Sequence, residues 1–225
     1  MRLSAIVIAR NEAASIGTTL QRLSAPGVEL LVVDGASTDR TCEIAARYAR
    51  VIASPPGRGR QLRVGARAAR PDSNTFLFVH ADTHLPSGYT DAIASCLADT
   101  TVLGGAFRRR FRSADRVLDG LAWIDNLRAR LTRIYLGDQS LFVRRSAYAD
   151  IGGFPDLSLF EDVAFSRALR RAGRTRLLSL SVRTSARRFQ ARGSTRTFAR
   201  MLVLWALYWG GADPARLARR YGPGR

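Results

Sequence analysis

The stretch LLVVDGASTDRT, Leu30 to Thr41, decides the fold. Four apolar residues run straight into an aspartate and a glycine, and Ser37 to Asp39 then supply helix-start residues ahead of Ile44, Ala45 and Tyr48. An unbroken apolar run is the mark of a strand buried on both faces, as in a parallel sheet covered by helices. The surrounding sequence repeats the pattern. SAIVIA (4–9) reads as a strand, followed by Ile16, Leu20 and Leu23 at helical spacing. RVIAS (50–54) is a third strand, ended by Pro55, Pro56 and Gly57, and TFLFVH (75–80) is a fourth. Alternation of this kind predicts an α/β fold with a mostly parallel sheet.

Past residue 103 the signals are mixed. GGAFRRRF (104–111) alternates as an antiparallel strand would, and a long helix follows with Val117, Leu121 and Ile124 at helical spacing. SLFVRR (140–145) is another strand, and Glu161 opens a helix carrying Phe165, Ala168, Leu169 and Ala172. A helix from about Gly193 to Gly210 bears MLVLWALYWG, and Asp213-Pro214 starts a short basic one. The expected organisation is a domain over 1–192, with a nucleotide-binding half at 1–103 and a mixed half at 104–192, then apolar and basic helices over 193–225.

Charge is distributed unevenly. The 225 residues carry a formal net charge of +18, and every basic side chain apart from the two histidines is arginine. Residues 1–107 have 11 arginines against 9 acids, a net of +2; residues 108–225 have 25 against 9, a net of +16. The second half therefore suits an anionic partner: a membrane surface, a phosphorylated substrate or nucleic acid. Cys42 and Cys96 have no metal-ligand spacing, and the N-terminal run is too short and too strand-like for a signal peptide, so a cytoplasmic location is expected. No run reaches the roughly 20 apolar residues that cross a bilayer. The uncharged run from Met201 to Gly211, with Trp205, Tyr208 and Trp209, reads either as core or as an interfacial helix at the inner membrane face.

In an open parallel sheet, ligands bind beyond the carboxyl ends of the strands. Three strands here end in polar residues: Arg10-Asn11-Glu12, Asp34-Gly35 and His80-Ala81-Asp82. Asp34 either faces that crevice, accepting hydrogen bonds from a base or ribose, or makes a turn with Gly35. Arg58 and Arg60, flanking Gly59 near a helix start, are candidates for contact with a base or diphosphate. Acidic Glu161 and Asp162 fit a helix N-terminus but also a pair of groups for proton transfer.

VVDGASTDRT, HADTHLP and EDV, in this order, resemble the family 2 glycosyltransferases with the GT-A fold. GRGRQLRVGARAA, GDQSLFVRR, IGGFPDLSLFEDVAFSRALRR and TSARRF are similar to a small subgroup labelled arsenosugar-biosynthesis glycosyltransferases. The resemblance implies a donor such as a UDP- or GDP-sugar, with the nucleotide near Ala9, Arg10, Asn11, Glu12, Asp34 and Ala81. It implies that Asp82 holds Mn2+ or Mg2+ against the diphosphate. His80 stands where many relatives carry a first acidic residue, either as a ligand or packed near the ribose. Asp162 is then the base for an inverting transfer to a small-molecule or lipid hydroxyl, with Glu161 positioning it or meeting the acceptor. Asp138 and Gln139 are expected at the donor sugar or acceptor, and Gly104 and Gly105 where the acceptor comes near. Arg187 or Arg188 would neutralise the departing diphosphate. Ser185 and Phe189 replace the glutamine and tryptophan of processive relatives, so polymer synthesis is not expected.

Two rival readings are weaker. A nucleotidyltransferase would carry a glycine-rich signature with lysine near the first strand, where this chain has ARNEAAS. A nucleic-acid-binding protein would explain the charge, but no motif of that class is present and the polar strand ends would be idle.

Overall fold

The computed structural model describes residues 1–221. Its centre is a seven-stranded sheet of β1 (Leu3–Ala9), β2 (Val28–Asp34), β3 (Arg50–Ala53), β4 (Thr75–His80), β5 (Val102–Phe111), β6 (Phe142–Arg144) and β7 (Arg174–Thr184). The spatial order is β3-β2-β1-β4-β6-β5-β7. All neighbours are parallel except where β6 runs against β4 and β5. Ten helices accompany it among the described residues: α1 (Ile16–Leu23), α2 (Thr41–Ala45), α3 (Arg58–Ala68), α4 (Tyr89–Ala98), α5 (Arg116–Thr132), α6 (Arg145–Asp150), α7 (Glu161–Ala172), α8 (Arg187–Arg192), α9 (Ser194–Trp209) and α10 (Pro214–Tyr221).

The pleat explains the apolar runs. Along β1, Ala5, Val7 and Ala9 point into a core built with Ile16, Leu20 and Leu23 of α1 and Ile93 and Leu97 of α4. Ile6 and Ile8 point the other way, to Leu62 and Ala66 of α3 and Phe165 and Leu169 of α7. Both faces are dry, so the strand is apolar from Ala5 to Ala9, and its one polar residue, Ser4, is hydrogen-bonded to Glu29 and Ser73. Two smaller clusters bind the C-terminal helices. Leu204 of α9 and Leu217 of α10 pack with Phe160 and Val163 at the start of α7, and Met201 packs with Phe111, Leu118, Ala122 and Phe189.

Several elements differ from the sequence expectation. The segment 104–111 runs parallel to β7 along its length and is antiparallel only to the short β6. The helix that follows Ser37 to Asp39 is short: α2 starts at Thr41 and lasts five residues, and Asp39 accepts the Thr41 N–H (3.0 Å) while Arg40 at the N-cap position makes no side-chain cap. The long helix buries Leu118, Ala122, Asp125 and Ala129, while Val117 and Ile124 are exposed. β7 had no counterpart in the expectation.

Candidate active site

A cleft of about 430 Å³ opens at the carboxyl ends of β1 and β4, between the N-termini of α3 and α7 and the C-terminal helices. Ala9, Arg10 and Glu12 enter it from β1, and His80, Ala81 and Asp82 from β4. Arg58 comes from α3, Asp138 from a 3-10 turn at Gly137–Gln139, Glu161 and Asp162 from α7, and Arg187 from α8.

The strand-end loops are locked to one another. The Asp34 carboxylate accepts the Ser37 N–H (2.9 Å) and its hydroxyl (2.5 Å). Ser37 in turn accepts the Asn11 N–H (2.8 Å), the Asn11 side chain accepts the Thr38 N–H (2.8 Å), and Thr41 accepts the Glu12 N–H (2.8 Å). Gln61 spans beneath, donating to the carbonyls of Ala9 (3.0 Å) and Val33 (2.9 Å). A Cβ on Gly35 would meet Gln61 at 2.9 Å, which is why glycine follows Asp34. Of the two readings of Asp34, the contacts are those of the turn; neither it nor Asn11 lines the cleft.

The acid pair sits at the first turn of α7, after Phe160 in the left-handed region (φ +65°). One Asp162 oxygen accepts the Gly137 N–H (2.7 Å) and the other the Val163 N–H (2.7 Å). Glu161 is buried and its Oε2 has no hydrogen-bond partner among the described residues. Burial raises both carboxyls. Glu161 is pushed up to about 7, first by burial and then by the Asp162 charge, with Arg58 opposing. Asp162 is raised by burial too, against the stabilising N–H groups of Gly137 and Val163 and the charge of Arg58. Adjacent carboxyls of which one is buried disfavour double ionisation. The two N–H donors make Asp162 the ionised partner, and Glu161 keeps the proton. Gly59 permits this grouping: a Cβ there would meet the Pro155 carbonyl at 2.4 Å and Glu161 Cβ at 3.4 Å, so α3 could not bring Arg58 so close. Gly137 is similarly hemmed in, with its hypothetical Cβ 2.7 Å from His80 Nε2 and 3.5 Å from Asp162 Oδ2.

Arg187 bridges the two strand ends, donating to Glu12 at 2.6 Å and lying 3.6 Å from the Asp82 carboxylate. Arg112 donates to the Asp82 carbonyl (3.1 Å). Among the described residues no three His, Cys, Asp or Glu side chains converge as a metal cage. Asp82, a hard oxygen donor on the cleft wall, therefore fits an Mg2+ or Mn2+ ion that draws the rest of its coordination from phosphate oxygens, the usual habit of Mg2+.

Besides Asp34 and Asn11, four more expected site residues lie elsewhere. Gly104 and Gly105 are buried within the sheet: a Cβ would meet the Phe142 carbonyl at 2.4 Å from the first and the Arg176 carbonyl at 1.9 Å from the second. They serve close strand packing and do not face the cleft. Arg60 is exposed and paired with Asp156 (3.4 Å). Gln139 is fully buried, its Oε1 accepting the Leu136 N–H (3.0 Å). The side chain of Arg188 lies outside the described residues.

Of the lining residues that the sequence reading did not single out, Arg109 is the one that carries charge. Arg109 is buried, ion-paired to Asp138 (2.6 Å) and Asp125 (3.3 Å), and its guanidinium lies 4.8 Å from the Phe111 ring centre. Burial works against its charge, but Asp138 and Asp125 outweigh that and raise its pKa. The signal was present: Phe107, Arg109 and Phe111 alternate with outward Arg108 and Arg110, so the middle arginine had to point inward.

The fold and site define a class, the GT-A glycosyltransferases. The chain aligns with mannosyltransferase PcManGT from Pyrobaculum calidifontis, solved with GDP-Man and Mn2+, at TM-score 0.70 and 20% identity over 95% of this chain and 66% of that one. It aligns with S. aureus TarS in complex with UDP-GlcNAc at TM-score 0.63 and 21% identity, over 82% of this chain and 58% of that one. Glucosyl-3-phosphoglycerate synthase from Mycobacterium tuberculosis, with Mn2+, UDP and glucosyl-3-phosphoglycerate, gives 0.58 and 20% over 80% and 70%. The chain thus spans less than two thirds of the length of the first two. No curated protein matches its sequence. Residues 4–145 match the sequence model of Glycosyl transferase family 2, and the chain belongs to that family.

Proposed function

We propose that this glycosyltransferase moves a sugar, with inversion, from a uridine or guanosine diphosphate sugar to a hydroxyl acceptor. The observation that carries the reading is the pairing, in one cleft, of Asp82 at a strand end with the half-buried Asp162 carboxylate at the first turn of α7. Asp162 takes the proton of the acceptor hydroxyl as that oxygen bonds to the anomeric carbon. The bond from that carbon to the diphosphate breaks, and its electron pair leaves with the nucleoside diphosphate. A base with a raised pKa is better suited to hold that proton. The two N–H groups on Asp162 fix its orientation. Glu161, protonated, is placed to donate to a sugar or acceptor oxygen with its unpartnered end.

Asp82 would hold the divalent ion with the diphosphate, where the ion would neutralise charge on the leaving group. Arg10, Arg58 and Arg187 line the same cleft and offer fixed positive charge for the phosphates. Neither cysteine lines the cleft, so it offers no soft thiolate of the kind that would single out arsenic, and the acceptor is assigned by its hydroxyl alone. The protein should release nucleoside diphosphate from one of a panel of UDP- and GDP-sugars with Mn2+ present, and Asp162→Asn should abolish that release. A panel in which no nucleotide sugar is either consumed or bound would sink the reading.

A further inference from the structure

The outer side of α5 and α9 carries an apolar surface that no other described residue covers. On α5, Val117, Leu121, Ile124, Arg128 and Leu131 follow one stripe, and on α9 Leu202, Trp205 and Trp209 follow another. The stripes meet at a seam: the Arg128 guanidinium lies 5.0 Å from the Trp205 ring centre, and Leu121 packs in the same cluster as Met201. Flanking this seam, Leu131 is 74% exposed, Val203 58% and Leu202 54%, with Val117, Ile124 and Trp209 near one half. So many large apolar side chains open to water on two adjoining helices mark a surface that is covered in use.

Charge selects what covers it. The exposed Arg116, Arg130 and Arg133 lie on or beside α5, and Arg196 and Arg200 on α9. Against them α9 carries no acid, and of the two acids on α5 Asp125 is consumed by Arg109 and Arg128. A second copy of this chain would bring like charge against like charge, since residues 108–225 alone carry a net +16. Nucleic acid would satisfy the arginines and leave the apolar stripe wet. A bilayer with anionic headgroups satisfies both, because it offers negative charge at the surface and hydrocarbon just beneath it.

We propose that the α5–α9 face docks this protein on an anionic lipid surface, with Ile124, Leu131, Leu202 and Val203 inserted below the headgroups. Met201 and Leu204 on the inner side of α9, with Trp205 at the seam, line the cleft, so the docked protein presents the apolar end of its cleft to the bilayer. An acceptor hydroxyl carried on a lipid would then reach Asp162 without leaving the interface. That last consequence rests on the glycosyl-transfer reading; the docking itself does not.

The test is sedimentation of the full chain with vesicles of mixed phosphatidylglycerol and phosphatidylcholine, without nucleotide, and with phosphatidylcholine vesicles alongside. The comparison variant carries Ile124→Ser, Leu131→Ser, Leu202→Ser and Val203→Ser, four exposed positions outside the cleft. The wild type should sediment with the anionic vesicles only and lose part of its binding in high salt. The variant should bind about tenfold or more weakly while keeping its melting temperature and its nucleotide-induced stabilisation. Wild type remaining in the supernatant at low salt would overturn the proposal, as would unchanged binding by a folded variant. A concentration-dependent dimer abolished in the variant would give the face to a second copy and overturn it as well. So would binding to random duplex DNA that exceeds vesicle binding. Because nucleotide binding is read separately in the same samples, failure of docking and failure of the transferase reading give different patterns.

Discussion

Glu161 is buried and the adjacent Asp162 half-buried, and their surroundings divide the work between them. Asp162 has two N–H donors within 2.7 Å and Glu161 has an oxygen with no partner. Replacing Asp162 by Asn keeps the shape and removes the proton acceptor. Turnover should then fall by about 10²–10⁴-fold, while stabilisation by nucleotide persists; a matching loss of both would mean that Asp162 shapes the site and does no proton transfer. Glu161 makes a different prediction, in stability. Its carboxyl is raised from the ordinary 4.5 to about 7, so the folded protein holds that proton more tightly than the unfolded chain. The contribution is fully present below about pH 4.5 and is lost as the pH rises through about 7. Glu161→Gln, which cannot ionise, should therefore melt several degrees above wild type at pH 8 and close to it at pH 5. Equal offsets at the two pH values would show that another group titrates.

At the scale of elements, Gly104 and Gly105 show how a plausible site residue can belong to the packing. A methyl on Gly105 would lie 1.9 Å from the Arg176 carbonyl on β7. Gly105→Ala should force β5 and β7 apart and cost about 3 kcal/mol, read as a lower urea midpoint. If the variant were stable and only the acceptor KM rose, the acceptor role would return. The same contrast explains what could be read from the sequence. The runs Ala5–Ala9, Leu30–Val33 and Phe76–Val79 of β1, β2 and β4 are apolar because helices cover both faces of the sheet, and Ile16, Leu20 and Leu23 are the matching stripe of α1. β7 was hidden because it borders the sheet: exposed arginine and serine residues break its apolar run. On α5 the apolar spacing pointed to the wrong side, since the face turned to the sheet includes Asp125, held by Arg109 and Arg128. Hydrophobic periodicity cannot register a core position filled by an ion pair. The acid pair at 161–162 was legible through its resemblance to known motifs, but the opposing demands on its two carboxyls arise from contacts with Gly137, Val163 and Arg58 that only the folded chain brings together.

The whole molecule brings a nearly neutral first half against a second half that is strongly basic, and residues of both line the cleft. That arrangement has a consequence for the metal. Asp82 lies on the cleft wall with Arg187 at 3.6 Å, and no cage of three ligating side chains exists among the described residues. A nearby guanidinium opposes a divalent cation, whereas a bound diphosphate would attract both. The ion is therefore expected to arrive with, or after, the nucleotide and to find much of its coordination there. Linkage then makes the effect mutual: whatever factor nucleotide adds to Mn2+ affinity, Mn2+ adds to nucleotide affinity. Mn2+ alone should leave the melting temperature unchanged, and nucleoside diphosphate alone should raise it modestly. The two together should raise it by more than the sum of the separate shifts. Asp82→Ala should erase the excess and leave the nucleotide-only shift, because the arginines of the cleft do not depend on the carboxylate. A shift with Mn2+ in the absence of nucleotide would instead reveal a preformed ion site, and the order of binding would have to be reversed.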